Sequence, residues 1–232
     1  MFDEPGPLIA KGRAADVFAY GEGKVLRRYR TDHDCAYEAD VMRHVRAHGY
    51  PAPEVIAASG RDLVMERVEG PTMLRDLGSR PWRIFRHAAT LAGLQQALHA
   101  IPAPEWLHTK HDGGTSIVHL DLHPDNVMIS PNGPVVIDWS NAGLGDPDVE
   151  VADLWLVMSA AAVPGSRLDR LVANAGRGLF LNAILRRFDR RRVASKLPAA
   201  YANRSRDRNM SEAELGKMRD LIARVVPGTQ PG

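Results

Sequence analysis

A single cysteine, Cys35, occurs in 232 residues, which excludes an internal disulfide framework and fits a reducing compartment. Aromatic residues are scarce at 6%. No nucleic-acid-binding module is recognisable, so nucleic acid is not expected as a partner. Long apolar runs are missing too. The longest, Val149 to Val163, is broken by Glu150 and Asp153 and falls short of the roughly 20 residues that span a bilayer. The opening Met-Phe-Asp-Glu-Pro-Gly has neither a basic nor an apolar stretch, so no signal peptide and a cytoplasmic location are expected. What remains is an ordinary globular composition, 44% hydrophobic and 25% charged, in a chain long enough for one large domain or two modest lobes.

The formal net charge is only +2, but it is unevenly placed. From Gly165 onward 15 lysines and arginines face 6 acids, while the preceding part carries 15 against 22. The excess lies mainly in Arg186, Arg187, Arg190 to Arg192, Arg204, Arg206 and Arg208. A solvated helix face accounts for such a cluster; an anionic substrate is the sharper alternative.

The first 70 residues read as strands around one helix. Asp16 to Tyr20 and Lys24 to Tyr29 flank the turn Gly21-Glu22-Gly23, which predicts a hairpin. Asp32 or Asp34 is placed to cap a helix carrying Tyr37, Val41 and Val45 on one face. Val55 to Ala57 and Leu63 to Glu66 read as further strands, and Val68-Glu69-Gly70-Pro71 breaks the pattern. Beyond it, Ile84, Phe85, Ala88, Leu91, Leu94 and Leu98 recur at helical spacing. Ile117 to Leu120, Val127 to Ile129 and Val135 to Ile137 are short apolar runs, the last two joined by a hairpin loop at Ser130 to Pro134. Helices resume after Pro147, the last opening on a capping box at Ser211 and Glu214. The order predicts an α+β fold: a β-rich lobe with one main helix over residues 1–68, a hinge at about 65–70, and a mainly helical lobe over 69–232.

The chemistry concentrates in His119-Leu120-Asp121-Leu122-His123-Pro124-Asp125-Asn126-Val127, followed by Val136-Ile137-Asp138-Trp139. Phosphoryl transfer requires a carboxylate to orient the attacking hydroxyl and oxygen ligands to hold Mg²⁺ against the phosphates. Asp121 and Asn126 share one loop, and the predicted hairpin folds Asp138 back beside Asn126, so three oxygen-bearing side chains meet. Singly, each is an ordinary turn residue or helix cap; the ordered set is what points to chemistry.

At these residues the sequence resembles the aminoglycoside phosphotransferase and choline kinase group, a branch of the protein-kinase-like fold. The pattern H-x-D-L-H-P-x-N-V followed after a hairpin by I-D-W is specific, and the likeness runs from about Leu8 to about Leu156, through Gly145-Asp146-Pro147. It implies a bilobal kinase-like fold, Asp121 as catalytic base, and Asn126 and Asp138 as Mg²⁺ ligands. His119 and His123 are expected to brace the loop, Trp139 to pack in the core, and Asp146 to order the loop rather than catalyse.

The nucleotide end is less distinctive. Lys11-Gly12-Arg13-Ala14-Ala15-Asp16-Val17 stands where a phosphate-covering loop would, yet Gly12 is its one glycine, and an ordinary turn fits as well. The family's phosphate-binding strand lysine aligns with Arg27 in Val25-Leu26-Arg27, a departure that keeps the charge but changes its shape. Lys24 or Arg28 serves instead if the register is off by one. Glu38 is the natural partner from the following helix, and Met65 to Val68 would line the adenine slot, with Glu66 and Val68 offering backbone contacts.

Asp146 follows Asp138 within eight residues, too short a span for a protein-docking segment, so the resemblance implies ATP, Mg²⁺ and a small hydroxylated acceptor. The arginine excess argues against a polycationic acceptor, although Asp112, Asp148, Glu150 and Asp153 offer a local acidic pocket. A non-catalytic nucleotide-binding module is the alternative, on the strength of Arg27 and the thin glycine loop. A protein kinase, or transfer of another part of the nucleotide, ranks third.

Overall fold

The computed structural model describes residues 4–12, 14–31, 34–110, 113–161, 166–206 and 210–226, with only the backbone of 167–170. Arg13, Asp32, Asp112 and Arg208 therefore lie outside the described residues. β1 (Leu8–Lys11), β2 (Ala15–Ala19), β3 (Lys24–Tyr29), β4 (Val55–Ser59) and β5 (Asp62–Glu66) form one antiparallel sheet in the order β1-β2-β3-β5-β4. The expected hairpin pairs Ala19 with Val25, and its turn uses Gly21 and Gly23 at φ 62° and 65°, a conformation glycine adopts without a Cβ clash.

Helix α1 (Ala36–Ala47) buries Ala39, Val41, Met42 and Val45. Its start differs from expectation. Cys35 holds the cap position without a side-chain cap bond, and the Asp34 carboxylate, one residue earlier, accepts the Ala36 amide at 3.0 Å. Chain geometry past β5 is dictated by close approach: Gly70 has φ 130°, and a Cβ there would lie 2.2 Å from the Ile129 carbonyl oxygen. The neighbouring Pro71 carbonyl accepts the Ile129 amide at 2.8 Å, and Thr72 bridges to Met128.

The rest is mainly helical: α2 (Met73–Ser79), α3 (Ile84–His99), α4 (Pro147–Ala160), α5 (Arg167–Leu185), α6 (Arg190–Ser195), α7 (Leu197–Arg204) and α8 (Glu212–Val225). The Ser211–Glu214 capping box is present. Between α3 and α4 lie two small ladders, β6 (Ser116–Val118) with β9 (Gly143–Gly145) and β7 (Val127–Ser130) with β8 (Gly133–Val136). The apolar run Ile117 to Leu120 is strand only as far as Val118, and Leu120 turns to φ 60°.

The apolar interior does not divide at residue 68. One buried cluster runs from Tyr29, Met42 and Leu63 to Leu91, Val127 and Trp139. The other gathers Val151, Leu156, Leu185, Leu197 and Met218 from the α4–α8 helices. No helix among the described residues is long and apolar enough to cross a membrane.

Candidate active site

The loop from β6 to β7 carries Asp121, tightens into a 3-10 turn at Pro124–Asn126, and enters the β7–β8 hairpin that returns the chain to Asp138. The Ile137 amide donates to the Asn126 carbonyl at 3.0 Å and ties the two ends together. Two non-glycine residues lie at positive φ here, Leu120 at 60° and Asp138 at 66°. Such conformations cost about 1–3 kcal/mol each and persist where their surroundings overdetermine them.

Those surroundings come largely from α4. Glu150 is 1% exposed and its carboxylate accepts the backbone amides of His119 and, at 2.9 Å, of Leu120, while pairing with His99 on its other oxygen. Burial works to raise this carboxyl, but His99 and the amides prevail and hold it below the ordinary range. His119 Nε2 donates to the Ile137 carbonyl at 3.1 Å, so it bridges the loop to the segment before Asp138. Burial lowers the His119 pKa and favours the neutral ring. Trp139 is fully buried, donates Nε1–H to the Val136 carbonyl, and meets Tyr50 and His119 edge to face.

Asp121 is held on both oxygens. Asn126 Nδ2 donates to its Oδ2 at 3.0 Å and to its main-chain carbonyl at 2.9 Å. His123 Nε2 lies 3.6 Å from the same oxygen, and its Nδ1 accepts the Asp125 amide. On the other side stands a residue the loop motif does not announce. Arg204, at the end of α7, donates to Asp121 Oδ1 at 2.9 Å and to the Leu120 carbonyl at 3.1 Å. It also grips Asp153 with two bonds of 2.6 Å. Burial alone would raise the Asp121 carboxyl, but His123 and Arg204 outweigh it and keep it well below the usual carboxylate range.

Asp138 meets the sheet. Arg27 donates to Asp138 Oδ1 at 2.6 Å and to Glu38 Oε1 at 2.8 Å. Glu38 sits in the first turn of α1, not its middle, and also accepts the Tyr29 hydroxyl at 2.5 Å. Of the three basic residues weighed on β3, Arg27 is the one pointing this way: Arg28 pairs with Asp62 at 2.7 Å, and Lys24 is exposed. Ser140 donates to Asp138 as well, at 3.0 Å.

All of these open on one cleft of about 1580 Å³, whose walls include Gly12, Val17, Val25, Arg27, Met65, Glu66, Val68, Asp121, His123, Asn126 and Asp138. Glu38 stands behind Arg27, and His119 behind the loop. The Gly12 amide is committed to the Ala15 carbonyl. The amides of Glu66 and Arg67 are likewise taken, by Glu54 and Gly23 carbonyls, so Val68 is where the chain leaves the sheet. Asp146 caps α4 by accepting the Asp148 amide and pairs with Lys196 at 2.7 Å.

The acidic pocket expected from Asp148, Glu150 and Asp153 is not formed. Asp148 pairs with Arg192, Glu150 with His99 and the loop amides, and Asp153 with Arg204. Sequence offered one cue to the last two: acids three apart in the otherwise apolar Val149–Leu156 stretch must lie on one helix face, and need partners if buried.

Comparison with known proteins gives the family and the fold. The sequence matches the profile of the phosphotransferase enzyme family over residues 6–113 and 102–195. It is 38% identical over 58 residues to a thiamine kinase of Salmonella paratyphi B, covering 25% of this chain and 19% of that protein. It is 26% identical over 179 residues to a probable serine/threonine-protein kinase of Streptomyces coelicolor, covering 68% of this chain and 25% of the other. The chain thus spans a quarter or less of the length of the curated relatives it matches. Among solved structures, the apo form of a thermostable mutant of aminoglycoside phosphotransferase APH(4)-Ia superposes with TM-score 0.61 at 19% identity, covering 96% of this chain and 95% of that one. A choline/ethanolamine kinase family protein from Mesorhizobium loti gives 0.58 at 17%, covering 95% and 87%. At these identities the likeness is one of fold.

Proposed function

Because the chain belongs to the phosphotransferase enzyme family, we propose that it is a small-molecule kinase that moves the γ-phosphoryl group of ATP to a hydroxyl. The observation that carries this reading is the setting of Asp121: a carboxylate at a cleft wall, fixed by Asn126 and Arg204 and kept ionised. A base of this kind orients the acceptor hydroxyl and takes its proton as the oxygen bonds to phosphorus and the bond to ADP breaks.

The donor set suits magnesium. Asn126 spends its amide nitrogen on Asp121, which leaves the amide oxygen to join Asp138 as a hard ligand. Among the described residues no cluster of three or more His, Cys, Asp or Glu is arranged to hold a metal by itself, and two oxygen donors fit an ion that brings phosphate and water as its other ligands. A magnesium ion held by Asn126 and Asp138 would offset the negative charge of the phosphates. Arg27 binds the α- and β-phosphates from the lysine position, braced by Glu38. Gly12, Val17 and Val25 cover the nucleotide, and Met65, Glu66 and Val68 line the adenine slot where the two lobes join, at about 65–70.

The test is a screen for Mg²⁺-dependent ATP consumption with amino alcohols, sugars, nucleosides, aminoglycosides and thiamine, run beside Asp138→Ala. A hit abolished by that substitution supports the kinase. A protein that binds no nucleotide at all sinks it. One observation favours a second reading, a nucleotide-binding module without turnover: Arg27 already occupies Asp138 at 2.6 Å. Tight ATP binding with no consumption across the panel would select it.

A further inference from the structure

The cleft does not end at Asp121. It continues past Arg204 between the end of α4, one face of α5 and the start of α8, where its walls are Val157, Met158, Val172, Gly176, Phe180 and Met218. Charge is sparse along this stretch. The Glu214 carboxylate is engaged with the amide and hydroxyl of Ser211. Arg177 donates to the Ala161 carbonyl at 2.8 Å. Asp153, which lies behind the base, is consumed by Arg204. Asp125, beside the base, also lines the cleft.

Gly176 is the second observation. Helix interiors disfavour glycine, and a Cβ at this position in α5 would meet no atom within 4 Å. No crowding within the protein requires it. What its missing side chain does is keep the trough open. Gly178, two residues on, has equal room but does not border the cleft.

We propose that this trough, as the acceptor subsite, selects an alcohol with a mainly apolar or aromatic body over a polycationic one. The inference rests on the kinase reading and narrows it. Apolar walls reward burial of apolar surface. A polycation entering the trough would desolvate its charges against walls that are mainly apolar, which disfavours it.

The experiment measures turnover of neutral and monoamine aryl or alkyl alcohols and of polycationic aminoglycosides, in the parent, Gly176→Leu and Gly178→Leu. Turnover is expected with the first group alone. Gly176→Leu should raise the acceptor KM at least tenfold while the ATP KM holds, Gly178→Leu should change neither KM, and the melting temperature should hold or rise in both because leucine is the better helix former. Turnover of polycations, or an acceptor KM unmoved by Gly176→Leu, overturns the proposal. So does silence across the panel from protein that still binds Mg·ATP by calorimetry. Absence of nucleotide binding in that calorimetry has a separate meaning: it removes the kinase reading, and the inference falls with it.

Discussion

Arg27 and Arg204 are used alike at the two ends of the segment from Asp121 to Asp138, each joining one carboxylate of the cleft to one buried carboxylate behind it. They differ in grip. Arg204 holds Asp153 through two nitrogens and reaches Asp121 and the Leu120 carbonyl besides. Arg27 gives one bond to Glu38 and one to Asp138, whose side chain is 39% exposed against 22% for Asp121. A guanidinium with two bonds to one carboxylate and a third to main chain is locked in place. One that shares an open carboxylate can be exchanged for another cation. The lesson is a division of labour: the acceptor side is prebuilt, while on the nucleotide side an arginine stands where a metal and phosphates are proposed to come.

The largest effect should follow loss of the prebuilt base. Asp121→Asn is expected to lower turnover by about 10²–10⁴-fold with ATP affinity nearly kept, and single-turnover assays with nucleotide calorimetry check both. Next comes Arg204→Ala. It leaves Asp153 buried without its cation, so a loss of about 3–5 kcal/mol is expected in denaturant melts, with ATP affinity unchanged in protein that remains folded.

Arg204→Gln tests the same side through pH. Without the guanidinium the Asp121 carboxyl rises toward the ordinary range, so the acid limb of kcat/KM should move to higher pH. The parent, whose carboxyl stays ionised well below that range, holds its rate there. An unmoved limb would break the claim that Arg204 acts through the base. On the other side, Arg27→Ala should raise the ATP KM about tenfold, equal to roughly 1.4 kcal/mol, and Arg27→Lys should recover most of it. If both arginines proved equally tolerant of lysine, the contrast in grip would lose its force. Arg28→Ala should do least: its pair with Asp62 is partly exposed, worth at most about 1 kcal/mol, and ATP kinetics should not change.

The sequence was most informative where structure is local. The β2–β3 and β7–β8 hairpins, helix α3 and the α8 capping box are each written in a few adjacent residues, and all formed. Strand β9, Gly-Leu-Gly, could not be read, because two glycines and three residues carry no periodicity; its pairing with β6 makes it a strand. Asp121, Asn126 and Asp138 could be grouped because one hairpin relates them. Glu150 and Arg204 could not be assigned, since their partners are 30 and 83 residues away, and what they touch is decided by helix packing that no local pattern records.

That separation has a consequence for how the protein comes to be. The loop bearing Asp121 is made 83 residues before the arginine that steadies it, and a contact so distant along the chain closes late, after loop entropy has been overcome. During synthesis or refolding, the sheet and the loop can be in place while α7 is still undocked. Recovery of the proposed activity would then lag behind recovered secondary structure, and the last helices to settle would complete the site.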